Sequence, residues 1–290
     1  LRQLINKIKM YLLNFLNHPS FKKNKIKIII NLIKLSFLTI FKLRIKYKIY
    51  LAETNFLFNF IPLSKQAGSR GIYIYRENYE PLLKYSYKLI KENDVVLDIG
   101  ANQGIYSIAF SKLTGPQGKV IAIEPFAEMN EILKKNIITN SLNNIKIFQC
   151  VVSDNVGYEF LDTSKGIVSS SIIKKFSDKN ALKIKKITID DVAKGYTNIS
   201  LIKLDIEGAE LKALNGAKET LDKWRPTLSV EIDQHTFDEI NNFLKGYGYK
   251  PYIFDDNGNL NVVQNVNYSY PNMIFTIVYN YHCYIITMLY

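Results

Sequence analysis

At 290 residues and 47% hydrophobic content, the chain is long enough to bury a sizeable α/β core and still carry an appendage. Its net charge of +12 sits at one end: residues 1–50 hold twelve Lys or Arg and no acid, and the remaining 26 basic and 26 acidic residues cancel, which argues against a nucleic-acid enzyme with a basic binding face. Cys150 and Cys283 belong to no Cys-x-x-Cys cluster, and His18, His235 and His282 lie far apart in sequence, so neither a disulfide framework nor a zinc or histidine-based metal site is expected.

The first segment lacks a clean apolar stretch followed by a small-residue cleavage site, so no secretory signal is expected. From Lys22 to Lys48 the apolar residues Ile26, Ile29, Ile30, Ile33, Phe37, Ile40 and Phe41 recur at steps of three and four, with Lys23, Lys27 and Lys34 on another side. This spacing predicts a basic amphipathic helix. Lys27, Asn31 and Lys34 interrupt it short of the roughly 20 apolar residues that a bilayer crossing needs. Two placements follow: on a membrane surface, or packed on the chain's own domain. Polar, glycine-containing residues 66–70 predict a hinge, and Glu80-Pro81 predicts the start of a helix ahead of the first core strand.

Val95 to Ile99 is an apolar run interrupted by Asp98 and followed by Gly100-Ala-Asn102-Gln-Gly104, which reads as a buried strand (95–99) breaking into a glycine turn and a helix (104–113). Such a turn lets backbone N–H groups approach a ligand. A nicotinamide or flavin site would want Gly-x-Gly-x-x-Gly, and Asn102 stands where its middle glycine belongs. Asp98-x-Gly100-x-x-x-Gly104 instead resembles the first motif of S-adenosylmethionine-dependent methyltransferases. Strand 119–123 ends at Glu124, 24 residues beyond Gly100, where a carboxylate can accept two hydrogen bonds from a ribose diol; capping the next helix is compatible with that.

Helix 127–140 and strand 145–152 come next, with Ser153-Asp154 able either to contact an adenine or to make a plain turn. The polar stretch 157–192, with short strand-like pieces, is the expected place for an active-site cover. Strand 200–205 ends at Asp205, with Glu207 just beyond it. Clustered acids raise one another's proton affinity, which suits one of them to take a proton from a substrate hydroxyl; they could instead hold a divalent cation. Glu210 belongs in the first turn of helix 209–223, where the dipole favours an acid. His235, at the start of helix 236–245, reads as a cap or surface residue ahead of a base. Strands 227–232, 249–254 and 273–278 complete a βα alternation that predicts a mainly parallel sheet with helices on both faces.

Taken together, Val-Leu-Asp98-Ile-Gly100-Ala-Asn102-Gln-Gly104-Ile-Tyr106-Ser107, Ile-Glu124-Pro125 with Asn136 and Asn140, and Ile-Lys203-Leu-Asp205-Ile-Glu207-Gly208-Ala209-Glu210 resemble the FkbM-type methyltransferases. Ile189-Asp190-Asp191, Gly216-Ala217, Arg225-Pro226 and Val230-Glu231-Ile232 extend the resemblance over about residues 79–277. It implies an α/β, Rossmann-like class I methyltransferase fold at residues 71–278, with a mainly parallel seven-stranded sheet in the order 3-2-1-4-5-7-6. A basic helical extension (1–70) precedes that domain, and a tail without assigned role (279–290) follows it. The implied reaction moves a methyl group from S-adenosylmethionine to a hydroxyl of a sugar, glycolipid or surface polysaccharide. Asp98, Gly100, Asn102, Gly104, Glu124, Ser153 and Glu80 would hold the donor, and Asp205 and Glu207 would orient or deprotonate the acceptor. The rival readings are a non-catalytic binding module in membrane-associated glycan assembly and a nicotinamide-dependent oxidoreductase. The expected location is cytoplasmic, with residues 22–48 attached peripherally to the anionic inner face of a membrane.

Overall fold

The computed structural model describes residues 21, 24–41, 43, 45–51, 54–60, 67–162, 171–172, 181–232, 235–263 and 272–277. The described chain opens with helix α1 (Lys25–Ile40), a hairpin of β1 (Ile45–Tyr50) and β2 (Asn55–Phe60), and helices α2 (Ala67–Tyr75) and α3 (Pro81–Tyr85). The alternation then follows as β3 (Val95–Ile99), α4 (Ile105–Thr114), β4 (Lys119–Ile123), α5 (Ala127–Thr139) and β5 (Ile145–Phe148). Strands β6 (Val151–Val152), β7 (Gly157–Asp162), β8 (Ser171–Ile172) and β9 (Ala181–Ile187) precede α6 (Ile189–Ala193) and β10 (Leu201–Leu204). The described chain closes with α7 (Glu210–Asn215), α8 (Lys218–Trp224), β11 (Thr227–Glu231), α9 (Phe237–Lys245), β12 (Lys250–Phe254), β13 (Leu260–Val262) and β14 (Asn272–Thr276).

Apolar runs too short for helices form the central sheet, in the order β13-β12-β14-β11-β10-β3-β4-β5. The strands from β5 to β11 are parallel; β14 runs antiparallel to both β11 and β12. Counted without β13, the order is the 3-2-1-4-5-7-6 anticipated from the sequence. β13 adds an eighth strand at the edge through a short hairpin with β12. Alternate residues of the central strands feed two hydrophobic clusters, Val96, Val120 and Leu201 on one face and Leu97, Ile121 and Ile202 on the other.

Several expectations need correction. Residues 145–152 are not one strand: β5 ends at Phe148, and β6 pairs with β9 in a separate four-stranded sheet, β6-β9-β7-β8, which occupies the region expected to hold a cover. The helix expected over 209–223 breaks into α7 and α8 at Gly216-Ala217, where Gly216 packs against the Ser153 carbonyl. The helix expected from Lys22 to Lys48 ends at Ile40, because Ile45-Lys-Tyr-Lys-Ile-Tyr50 has a period of two: Tyr47 and Ile49 are buried while Lys46, Lys48 and Tyr50 are exposed. Among the described residues from 24 to 60, the extension is therefore helix plus hairpin. The expected hinge at 66–70 gives way to α2, which runs across position 70.

The arm also shares the main core, since Ile28 and Leu35 of α1 and Tyr47, Ile49, Phe56 and Phe58 of the hairpin join the cluster that holds Leu82, Ile108 and Phe110. Asn136 of α5 and Asn140, which caps its C-terminus, fasten the outer edge of β2. Asn140 Oδ1 accepts from Leu57 N (2.8 Å) and its Nδ2 donates to Leu57 O (2.7 Å), while Asn136 Oδ1 accepts from Asn59 N (2.8 Å). The tail 279–290 lies outside the described residues, and among those described no helix is long and apolar enough to cross a membrane.

Candidate functional site

At the carboxyl end of β3 the chain turns sharply through Gly100, whose N–H, like that of Ala101, donates to Ile123 O. Gly100 has φ +80°, and a Cβ there would lie 1.9 Å from the Asp205 carbonyl oxygen, so only glycine lets the β3 and β10 loops approach this closely. The Asn102 N–H donates to Glu124 Oε2 at 2.8 Å, and the Phe126 N–H donates to Glu124 Oε1 at 3.0 Å. Glu124 is thus fixed at the end of β4 beside the glycine turn. Beyond β10, Glu207 (φ +55°) and Gly208 (φ +93°) reverse the chain, and Glu210 Oε1 accepts from Ile206 N (3.0 Å) and Gly208 N (3.2 Å) to hold that loop.

These loops surround a cavity of about 590 Å³. Of the residues singled out in the sequence, Glu80, Gly100, Asn102, Glu124, Ser153, Asp205 and Glu207 line it. Asp98 and Gly104 do not. Asp98 is fully buried, accepting from Ser107 Oγ at 2.5 Å and facing Lys203 Nζ at 3.7 Å. Gly104 seats α4 against Leu133 of α5. His235 is exposed and does not line the cavity. Phe58 of the hairpin, Ile72 of α2, and Glu159 and Leu161 of β7 also face the space.

The sequence reading assigned no role to Lys203, Glu231, Tyr106 or Tyr79, all of which line the cavity. Lys203 is buried in the middle of an apolar strand, with Asp205 Oδ2 at 3.0 Å and the Tyr106 ring centre at 4.8 Å. A lysine inside so apolar a run needs acid partners, and that was the available signal. Burial disfavours its charge, but Asp205 and Asp98 outweigh that and raise its proton affinity. Burial likewise opposes the Asp205 charge, yet Lys203 and a hydrogen bond from Glu231 hold that carboxyl below the ordinary range. Glu231 carries the proton of the pair: burial, then the Asp205 charge, push it up to about 9. Burial and the neighbouring Asp205 also raise Glu207. Glu80, raised by burial, accepts from the Tyr106 hydroxyl and from Asn272 Nδ2.

Six acids and two lysines line the cavity, and even with Glu231 holding its proton the other carboxyls outnumber the lysines, an excess that fits a ligand bearing positive charge. S-adenosylmethionine carries a sulfonium and an ammonium, and its ribose diol matches the Glu124 carboxylate, so these residues suit it. Among the described residues no group of three or more His, Cys, Asp or Glu is arranged to hold a metal ion.

The family described as the methyltransferase FkbM domain matches residues 98–251, just over half of the chain. Methyltransferase sdnD of Sordaria araneosa is 26% identical over 194 residues, covering 56% of this chain and 73% of that protein. The 2-O-methyltransferase NoeI of Sinorhizobium fredii (strain NBRC 101917 / NGR234) is 26% identical over 168 residues, covering 52% of this chain and 68% of that protein. A crystal structure of methyltransferase FkbM from Methylobacillus flagellatus KT aligns at 19% identity and a TM-score of 0.44, covering 74% of this chain and 56% of that one.

Proposed function

The chain belongs to the FkbM methyltransferase family and is a methyltransferase whose donor is S-adenosylmethionine, and from that premise we propose that its acceptor is a hydroxyl of a sugar, glycolipid or surface polysaccharide. The observation that carries this reading is the division of acids about the glycine turn. In the sheet order β10-β3-β4, Glu124 stands on one side of Gly100 for the donor's ribose, and Asp205 and Glu207 stand on the other for a second, polar reactant. A relative whose name specifies 2-O-methylation supports an oxygen acceptor.

When bound, the donor supplies a methyl carbon on positively charged sulfur, which takes an electron pair from the acceptor oxygen as the carbon–sulfur bond breaks. The two acids divide the remaining work. Asp205, held ionised by Lys203, is a weak base and orients the hydroxyl by accepting its hydrogen bond. Glu207, with its raised proton affinity and exposed position, takes the proton and passes it to water. Phe58, Ile72 and Leu161 exclude water from the reacting pair. With such an acceptor the enzyme works at the cytoplasmic face of a membrane.

The test is transfer of labelled methyl from S-adenosylmethionine to fractionated cell glycans and lipids. Label should enter a glycan or glycolipid fraction. Glu207→Gln should lower turnover about 10²-fold or more while S-adenosylhomocysteine binding is retained. Label entering only protein or RNA, or unchanged turnover in Glu207→Gln and Asp205→Asn, would overturn the acceptor assignment.

A further inference from the structure

We propose that the outer face of α1 is a docking surface for a bilayer rich in anionic lipid. This goes beyond the methyl-transfer reading and does not depend on it. The helix has two apolar faces. Ile28, Asn31, Leu35 and Leu38 are buried, and Asn31 Nδ2 donates to Ile74 O of α2 at 2.9 Å. At about 100° per residue, Ile26, Ile29, Ile30, Ile33, Phe37 and Ile40 fall on the opposite side. These six are 44% to 78% exposed, and Phe37 packs against exposed Phe41 with ring centres 4.4 Å apart and planes tilted by 41°. A helix that already buries one apolar face has no need of a second in water, so the second requires an occupant.

Charge identifies that occupant. Lys25 lies on one flank of the exposed stripe and Lys27 and Lys34 on the other, all exposed, where long side chains can keep their ammonium groups at headgroup level while the stripe enters the acyl boundary. Exposed Lys46 and Lys48 follow on β1, and residues 1–50 contain no acid at all. Two copies of this face would repel each other, whereas anionic lipid supplies both the apolar layer and the opposite charge. The arm is also coupled to the site: α1 is tied to α2, and α2 contributes Ile72 and the hairpin Phe58 to the cavity lining.

Flotation of the full chain with phosphatidylglycerol-containing and pure phosphatidylcholine vesicles, at low and high salt, tests the surface without reference to catalysis. Binding should require phosphatidylglycerol and weaken at least about tenfold at high salt. Ile33→Asp combined with Phe37→Asp should weaken it by a similar factor while the thermal melting of the protein stays unchanged, because both side chains are exposed. Equal binding by that double variant, or no binding to phosphatidylglycerol vesicles at low salt, would overturn the proposal. Concentration-dependent self-association lost in the same variant, without vesicle binding, would assign the face to a second copy and also overturn it.

Discussion

Lys203 is the cation on which two carboxylates of opposite duty depend: Asp98 below it, sealed from water, and Asp205 above it, open to the cavity. Removing the ammonium would leave the Asp98 carboxyl, whose proton affinity burial already raises, without its compensating cation in the core. Lys203→Met should therefore cost about 3–5 kcal/mol in urea unfolding, and adding Asp98→Asn should restore much of that loss. No recovery in the double variant would mean that Lys203 acts through packing alone. Glu124 behaves differently, because burial pushes it up to about 7 although the Phe126 and Asn102 N–H groups favour its ionised form. A folded value above the unfolded one means that its stabilising contribution is full below the ordinary carboxylate range and is lost as pH rises through about 7. Ligand binding runs the other way, since the ionised carboxylate accepts the ribose hydroxyls. S-adenosylhomocysteine affinity, measured calorimetrically between pH 6 and pH 8, should rise about tenfold, and Glu124→Gln should flatten the profile.

At the scale of elements, the hairpin is held by α5 as well as by the ladder between its own two strands. The Asn136 and Asn140 side chains take the place of a third strand along β2, and Asn136 Nδ2 also donates to Gln103 O in the glycine turn at 2.9 Å. Asn136→Ala should cost about 1–3 kcal/mol, for the backbone groups left unpaired, and speed amide exchange across residues 55–60. Unchanged exchange there would show that core burial alone seats the hairpin. The sequence made part of this legible. Strands that end in Asp98, Glu124 and Asp205 could be placed because uniformly apolar runs in a parallel sheet leave their acids at one edge. The hairpin escaped notice because its period of two lay beside a helical period rich in the same residues, Ile and Lys. Glu231 went unassigned because a carboxylate at a strand end reads the same whether it faces the cavity or solvent; its pairing with Asp205 across β10 and β11 exists only in the assembled sheet.

At the scale of the molecule, the cavity draws on nearly the whole described chain: Phe58 from the hairpin, Ile72 from α2, Gly100 and Glu124 from the first half of the sheet, Glu159 from the smaller sheet, and Asp205 and Glu231 from the second half. A ligand that touches all of these stabilises the fold as a unit, because none of those contacts survives unfolding. At a hundred times its dissociation constant, S-adenosylhomocysteine should add about 2.7 kcal/mol. For a domain of this size that raises the melting temperature by roughly 5–10 °C. Glu124→Ala should remove most of the shift, since it deletes the acceptor for the ribose, and should also lower the melting temperature without ligand, because the Asn102 and Phe126 N–H groups lose their acceptor. Nicotinamide dinucleotides should give no shift, because Asn102 leaves the turn without the middle glycine that a bound pyrophosphate requires. An equal shift from NADH would mean that the pocket accepts adenosine ligands without regard to the homocysteine chain, and that the surplus of acids around Asp205 and Glu231 serves the acceptor alone.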